Sequence, residues 1–359
     1  MQIISDKEPE SLNITPYIQN IIDQPEAVKC AMEAYPEGKI YSCLVKNYKL
    51  GKFDRIVLTG LGASLNSLYP AFLALTSLQI PVVFLNTAEL IYDAIHQINS
   101  KTLLVVASQS GRSAETLKLL SILQKNHVPG FLLGLTNDCE SPLSLQADLA
   151  IDIHAGEEYS VATKTYSNSF SYASLIANQL LGVKIKPIIK EFIHTSNTML
   201  NYLENWQSLL KLFDENLGEF KVAGIVGRGS SMAGVWNGAL TQKEAARFPI
   251  EGYHAAQFRH GPMEMVTSSF LLLILEGYGS SVQLNKKLAI DVTDRGGRVL
   301  WVGSHKYHGV PNFLFPEVSN STLPLFEILS LQLLSLVIAK RKKIQAGEFI
   351  NIGKIVDTE

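Results

Sequence analysis

Residues 53–64 read FDRIVLTGLGAS, a run of apolar and β-branched residues that ends in a glycine-rich turn and a serine. Residues 220–231 read FKVAGIVGRGSS, and the phenylalanine and both turn glycines recur there 167 positions later. Two further pairs keep an offset of 168, NTAEL at 86–90 with HAAQF at 254–258 and SQSGRS at 108–113 with EGYGSS at 276–281. Because the offset between the paired segments changes by only one residue, the sequence predicts an internal duplication of one structural unit.

Short apolar runs alternate with helical patterns around the first of these stretches. The runs that read as strands are DRIVLTG at 54–60, IPVVFLN at 80–86, TLLVVA at 102–107 and GFLLGLTND at 130–138. Strands that are apolar almost throughout and are separated by helices are typical of a parallel sheet covered on both faces. The sequence therefore predicts an α/β fold.

Composition and charge narrow the class of protein. The 359 residues suffice for two domains, and 47% hydrophobic with 18% charged residues is the composition of a folded chain. With 31 Lys and Arg against 33 Asp and Glu, the net charge is −2, and no long basic run predicts a nucleic-acid partner. The three cysteines, Cys30, Cys43 and Cys139, lack CxxC spacing, so we expect reduced, buried or idle thiols rather than disulfides or a zinc site.

No segment predicts export or membrane insertion. The polar and acidic start, MQIISDKEPESLN, is unlike a signal peptide. Residues 323–339 are apolar, but Glu327 and Gln332 interrupt them, which favours a helix in the protein core over a membrane span. We therefore expect a cytoplasmic protein that contacts no membrane.

Two serine-rich loops follow predicted strands, each at the start of a helical pattern. The first carries Ser64, and the second carries Ser108, Gln109, Ser110 and Ser113. Ligands of open parallel sheets bind beyond the carboxyl ends of the strands, where free N–H groups of helix N-termini attract anions. Ser113 has a second interpretation as a simple helix N-cap. Because two such loops follow core strands, the sequence favours a phosphate site built without lysine.

These loops carry a resemblance to a known family. GLGAS and ASQSGRSAET resemble the signature loops of sugar isomerase (SIS) domains, and the duplicated layout is similar to the isomerase half of glucosamine-fructose-6-phosphate aminotransferases. The resemblance runs from Pro16 to Glu359 and implies two tandem SIS domains, each a flavodoxin-like three-layer sandwich with a parallel sheet flanked by helices. No segment resembles the glutaminase domain, so we expect no glutamine-fed synthesis by this chain alone.

The resemblance implies a role for individual residues of the first half. Ser64, Ser108, Gln109, Ser110 and Ser113 correspond to residues that bind the sugar phosphate. Two more positions correspond to residues that contact the sugar, Thr116 through its side chain and Val161 in EYSVATKT through its backbone.

The resemblance assigns the reactive groups to the second half. Glu244 corresponds to the carboxylate that moves a proton between C1 and C2, and His260 to the ring-opening histidine that the neighbouring subunit supplies in family dimers. Lys354 corresponds to a C-terminal lysine that binds the open-chain sugar as a Schiff base. Isolated residues of these types are usually solvated, and the neighbouring His254 has only a weak claim to a role. Taken together, the three imply a homodimer with shared active sites and no cofactor or metal.

The expected domain limits follow from the repeat and the motifs. We expect an N-terminal helical segment at 1–45, a phosphate-binding SIS domain at 46–195, a catalytic SIS domain at 196–345 and a tail at 346–359. The aminotransferase pattern has a glutamate and a lysine where this chain has Asn237 and Thr241. This departure favours an enzyme that releases an amine over one that installs it.

Three functions remain open at this point. The first is an isomerase/deaminase that converts glucosamine 6-phosphate to fructose 6-phosphate and ammonia. The second is a fructosamine-6-phosphate deglycase that works by the same proton transfer. The third is a non-catalytic sugar-phosphate sensor, which needs the phosphate loops but not Glu244, His260 and Lys354.

Overall fold

A computed structural model describes residues 13–126, 128–351, 353 and 354. The N-terminal stretch up to residue 12 and the last five residues, on which part of the sequence interpretation rests, lie outside this range. The helices are α1 (Pro16–Glu33), α2 (Glu37–Ile40), α3 (Lys46–Lys49), α4 (Gly62–Leu75), α5 (Thr87–Tyr92), α6 (Ala114–Lys125), α7 (Pro142–Gln146), α8 (Lys164–Leu180), α9 (Ile185–Leu203), α10 (Trp206–Leu217), α11 (Met232–Ala246), α12 (Ala255–Phe258), α13 (Ser280–Asp294) and α14 (Leu323–Arg341). The strands are β1 (Arg55–Gly60), β2 (Val82–Asn86), β3 (Thr102–Ala107), β4 (Phe131–Thr136), β5 (Leu149–Asp152), β6 (Val222–Gly227), β7 (Glu251–His254), β8 (Phe270–Leu275), β9 (Arg298–Gly303) and β10 (Asn312–Leu314).

The first half forms a five-stranded parallel sheet in the order β2-β1-β3-β4-β5. Every residue of β3 is buried, as are five of the six residues of β1. A parallel strand covered by helices on both faces needs apolar side chains at successive positions, which explains these continuous runs. The predicted α/β fold is confirmed.

The second half forms another five-stranded parallel sheet, in the order β7-β6-β8-β9-β10. Counted from the first strand of each half, both sheets have the order 2-1-3-4-5, which is the flavodoxin-like arrangement. The carboxyl ends of β1 and β6 therefore occupy corresponding positions in the two sheets.

Long helices join the two sheets into one core. Helix α4 of the first half packs against α8 and α11, and α11 packs in turn against α14. Helix α14 is long and apolar enough to cross a membrane, but 94% of its apolar window is buried inside the protein. The prediction of a core helix at this position is confirmed.

The thiols differ in part from the expectation. All three cysteines are free thiols, as expected, but Cys30 and Cys139 are exposed and Cys43 is half-buried, so the alternative of buried thiols was wrong. Cys139 lies in the loop after β4, which is polar. A short side chain on such a loop has no apolar layer to cover it.

The chain after α14 folds back onto the first half. The backbone N–H of Gly347 donates to the carbonyl of Ala245 at 3.0 Å, and the Ser160 hydroxyl donates to the carbonyl of Gly347 at 2.6 Å. Gly347 has a positive φ of 76°, and a Cβ atom there would lie 2.5 Å from Tyr17. Glycine is thus required at this crossing, which directs the tail toward the end of the first sheet.

Candidate active site

The first serine-rich loop joins β1 to α4. Leu61 is extended and precedes the helix, and Gly62 opens it with a positive φ of 50°. Ser64 therefore lies in the first turn of α4, beyond the carboxyl end of a central strand. Backbone N–H groups of a first helical turn have no acceptor within the helix, so they are free to bind an anion.

The second serine-rich loop joins β3 to α6 and is held by backbone bonds. The N–H of Ser108 donates to the Leu135 carbonyl at 3.0 Å, and the Gln109 carbonyl accepts from the N–H of Asn137 at 2.9 Å. Gly111 has a φ of 59°, and a Cβ atom there would lie 2.3 Å from the Ser141 hydroxyl. The SQSGRS pattern therefore needs its glycine, because a side chain would displace the neighbouring loop.

The only cation of this loop is turned away from it. The Arg112 guanidinium donates to a carboxylate oxygen of Asp138 and to the Glu140 carbonyl, both at 3.0 Å. Ser113 precedes α6 but makes no capping bond, and its hydroxyl instead lies 2.7 Å from that of Thr116. The Ser113 hydroxyl therefore does not cap the helix.

The two loops enclose a cavity of about 300 Å³, a size that suits a small ligand. The wall combines residues predicted from the motifs with a residue from the end of the chain. It consists of Leu61, Ser64, Ala107, Ser108, Gln109, Ser110, Ser113, Glu115, Thr116 and Lys354. We call this cavity with its loops the serine cradle.

An ion pair with the buried Glu158 fixes Lys354, which is itself half-buried, at the wall of the serine cradle. Its Nζ donates to a carboxylate oxygen of Glu158 at 2.8 Å and also to the Ser160 carbonyl. The same carboxylate accepts bonds from Thr163 and Thr165, including 2.8 Å and 2.6 Å bonds from their hydroxyls. Burial raises the pKa of Glu158, but Lys354 and these hydrogen bonds outweigh burial and hold the pKa below its ordinary value.

Glu244 lies in the last turn of α11 and is half-buried; it does not line the serine cradle but is near enough to Lys354 for the two charges to interact. The pKa of this carboxyl is raised from 4.5 to about 7, chiefly by burial; the charge of Lys354 opposes the rise and the charge of Glu158 adds to it. Glu158 and Glu244 are therefore two carboxyl groups near one ammonium with opposite pKa shifts. A carboxyl that titrates near neutrality can both accept and return a proton.

The remaining predicted residues lie apart from the serine cradle. His260 is exposed on the loop after α12 and does not line the cavity. His254 packs edge-on against Trp236 and Tyr69, and burial with the charge of Arg228 lowers its pKa. Val161 is 1% exposed and packs into the core beside Ser160.

The two positions that depart from the aminotransferase pattern are both buried. Asn237 and Thr241 are each 1% exposed on α11. Among the described residues, neither polar atom of the Asn237 amide has a hydrogen-bond partner. A glutamate and a lysine buried at these positions would each need an opposite charge, from the other residue or from a ligand, whereas the uncharged Asn237 and Thr241 do not.

Sequence reasoning missed Glu158 and Glu115. Glu158 is the first residue of the EYSVATKT segment and the second of the doublet Glu157-Glu158, and the doublet alone does not distinguish the buried glutamate from the solvated one. The two threonines that follow it supply the signal, since hydroxyls and N–H groups in a short turn are carboxylate ligands. Glu115 contributes a carboxylate oxygen that is buried without a partner among the described residues.

Comparisons with known proteins agree with this architecture. Residues 49–179, in the first half of the chain, match the SIS domain family. The glutamine–fructose-6-phosphate aminotransferase of Pyrococcus horikoshii is 26% identical over 356 residues, which cover 95% of this chain and 57% of the relative. The protein of the same name from Thermococcus kodakarensis is 25% identical, with 95% and 58% covered. The chain thus spans less than two thirds of the length of these relatives.

Solved structures share the fold over nearly the whole chain. The C-terminal domain of glucosamine-fructose-6-phosphate aminotransferase from Francisella tularensis has a TM-score of 0.78 at 19% identity, covering 95% of this chain and 100% of that one. Glucosamine-6-phosphate deaminase from Thermotoga maritima has a TM-score of 0.74 at 20% identity, covering 96% and 100%. Tagatose-6-phosphate ketose/aldose isomerase from Escherichia coli has a TM-score of 0.79 at 15% identity, covering 94% and 96%. The resemblance to the isomerase half of the aminotransferases is confirmed.

Proposed function

We propose that this chain is a phosphosugar isomerase that releases ammonia from glucosamine 6-phosphate and forms fructose 6-phosphate. The observation that carries the proposal is that Lys354 lines the serine cradle, is paired with Glu158 and interacts electrostatically with the carboxyl of Glu244. An anion site beside a proton-transfer group is what an aldose–ketose conversion of a phosphorylated sugar needs.

In this proposal the phosphate binds in the serine cradle. Ser64, Ser108, Gln109, Ser110 and Ser113 donate hydrogen bonds to its oxygens, together with the first N–H groups of α4 and α6. The phosphate thereby fixes the far end of the sugar, so that C1 and C2 are held near Lys354 and Glu244. Thr116 and the backbone at Val161 contact the sugar chain between these ends.

The chemical step uses Glu244 as one base over two carbons. His260 moves the proton that opens the ring, and the Glu244 carboxylate then removes the proton from C2 of the aldehyde. The electron pair forms the C1–C2 double bond of an enolamine, and return of the proton to C1 leaves an imine at C2. Water hydrolyses the imine to fructose 6-phosphate and ammonia, while Lys354 orients the open chain with its ammonium, or binds it as a Schiff base after losing a proton.

His260 enters this scheme from a second copy of the chain. The exposure of its loop and its absence from the cavity wall support a homodimer in which each subunit completes the other's site. The repeated 2-1-3-4-5 strand order supports two tandem SIS domains, at 46–195 and 196–345, followed by the Lys354 tail. We place the enzyme in the cytoplasm and in amino-sugar metabolism.

A second candidate activity is release of a larger amine from a fructosamine 6-phosphate. A cavity of about 650 Å³ adjoins the serine cradle and shares Gln109 with it. Asp152, Glu157 and Glu158 line this neighbouring cavity, and their carboxylates suit the ammonium group of an amino acid. The same Glu244 proton transfer, run from the ketose side, would release that amine.

A substrate panel separates these activities. Purified protein is incubated with glucosamine 6-phosphate and with fructose-amino-acid 6-phosphates, and ammonia, free amino acid and hexose phosphate are quantified. The proposal expects ammonia and fructose 6-phosphate in equal amounts from the first substrate. Turnover of only the second class would replace it with the deglycase, and binding without any turnover would indicate a sensor.

A further inference from the structure

A second polar cavity, of about 350 Å³, lies at the carboxyl end of the second sheet. Arg228 directly follows β6, Arg259 directly follows α12, and Lys287 with Asp291 comes from α13. Leu284 and Ile290, both exposed, complete its wall. We call this cavity the arginine pocket, and it shares no wall residue with the serine cradle.

The Arg228 side chain is held in the arginine pocket with most of its donors unused. Its Nε donates to the side-chain oxygen of Asn285 at 3.0 Å. Asn285 is completely buried and is fixed by a 2.9 Å bond from its amide to the Leu275 carbonyl. Within the described part of the chain, the two terminal nitrogens of Arg228 have no protein acceptor. The guanidinium is therefore preorganised, with its outer edge available to a ligand.

The other charges of the arginine pocket leave an excess of positive charge. Arg259 pairs with Asp291, whereas Lys287 makes no hydrogen bond or ion pair with any described residue. Three cations thus face one carboxylate, which leaves two positive charges without a counter-charge. Burial lowers the pKa of Arg228, and the charge of Arg259 lowers it further, as expected where like charges converge.

We propose that the arginine pocket binds a phosphate dianion, either free or as a phosphate monoester, at a site separate from the substrate. Two uncompensated positive charges match the two negative charges of phosphate near neutral pH. The open edge of a guanidinium donates two parallel N–H groups, which suit two oxygens of one phosphate. Lys287 supplies a flexible third contact, and the apolar wall accommodates the organic part of a monoester.

The arginine pocket also adjoins the loop that carries His260. Arg259 immediately precedes His260 in the chain, so an anion that fixes Arg259 restricts the position of the histidine. This consequence for activity rests on the proposed function, whereas the binding itself does not.

Calorimetric titration tests the pocket directly. The full-length Ser108→Ala/Ser110→Ala variant, in which the serine cradle is disabled, is titrated with inorganic phosphate and with methyl phosphate. We expect one remaining phosphate per chain. Adding Arg228→Gln and Lys287→Gln should weaken that binding at least tenfold, and Lys287→Gln alone, which removes no protein contact, should weaken it severalfold.

The control removes two positive charges elsewhere on the surface. Lys211→Gln/Lys221→Gln in the same background should bind phosphate as before, because both lysines are exposed and lie outside the pocket. Equal binding of methyl phosphate indicates a monoester ligand, and binding of inorganic phosphate alone indicates the free ion. Loss of all binding in the cradle-disabled protein, or binding unchanged by Arg228→Gln/Lys287→Gln, overturns the proposal. Neither result bears on ammonia release, which is assayed separately.

Discussion

The two sheets have the same strand order, but the loops at their carboxyl ends differ in whether their side chains are available to a ligand. In the first half Ser64 and Ser108 line the serine cradle. The corresponding residues of the second half, at the offsets of 167 and 168, are Ser231 and Glu276. The Ser231 hydroxyl donates to a carboxyl oxygen of the buried Glu327 at 2.6 Å, so it is not available to a ligand.

In the second half, carboxyl groups therefore occupy the place at the loop ends where hydroxyls line a cavity in the first half. Glu276 is 4% exposed and accepts bonds from the backbone N–H and the ring of His305, both at 3.0 Å. Glu327, from the core helix α14, is completely enclosed. The Ser231 hydroxyl and the Glu276 carboxylate are both engaged within the protein, so the second half keeps the fold and loses this binding mode. The arginine pocket takes Arg228 from the loop after β6, and the rest of its wall comes from Arg259 and from α13.

The largest effect is expected from the proton-transfer group of the second half. Glu244→Gln removes the base without changing the size of the side chain, so kcat should fall by about two to four orders of magnitude. Steady-state ammonia release measures this. Glu215→Gln, at an exposed position of α10, is the matched control and should leave kcat unchanged. Equal activity of the two variants contradicts the role of Glu244.

Glu327, which closes the loops of the second half, should make the stability of the protein depend on pH. The pKa of its carboxyl is raised from 4.5 to about 7, chiefly by burial; the hydrogen bond from Ser231 opposes the rise and the charge of Glu276 adds to it. The unfolded chain therefore ionises first, and stability falls as the pH rises from about 4.5 to 7, by about 3 kcal/mol for this group.

Glu327→Gln tests this by urea denaturation at several pH values. The variant should gain stability relative to the wild type between pH 4.5 and 8, because Gln does not ionise. Parallel stability curves for the two proteins over this range contradict the assignment.

Matched serine substitutions compare the open and closed loops directly. Ser108→Ala should raise KM for the sugar phosphate by about ten- to a hundredfold, since a hydrogen bond to a charged group contributes about 1.5–3 kcal/mol. Ser231→Ala removes a hydroxyl that is bound to Glu327, so KM should not change. Steady-state kinetics of both variants measure the difference. A similar rise in KM for both would show that the two halves bind phosphate alike.

A smaller effect is expected at the ion pair that positions Lys354. Glu158→Gln removes the acceptor charge, and we expect kcat to fall about tenfold as the lysine loses its fixed position. Loss of the Glu158 charge also removes a cause that raises the pKa of Glu244, so the acidic limb of kcat/KM should move below pH 7. A lower kcat with an unmoved acidic limb would indicate a structural role alone.

The sequence predicted those parts of the site that depend on local patterns. The strands, the two serine-rich loops and their position beyond the carboxyl ends follow from apolar runs and glycine spacing. The Glu158–Lys354 pair joins residues 196 positions apart and depends on the tail folding back at Gly347, which no local pattern encodes. The closed loops of the second half could be predicted only in part from the sequence. EGYGSS has a glutamate where SQSGRS has its first serine, but the approach of Glu327 from α14 depends on tertiary packing.

The proton transfer at C2 is the central claim, and exchange with solvent measures it most directly. The protein is incubated with glucosamine 6-phosphate in D₂O, and the reaction is followed by proton NMR and an ammonia assay. The account predicts that fructose 6-phosphate and ammonia form together, with deuterium at C1 of the product, and that Glu244→Gln abolishes both. Saturable binding of the sugar phosphate with neither ammonia nor exchange at C2 would contradict it.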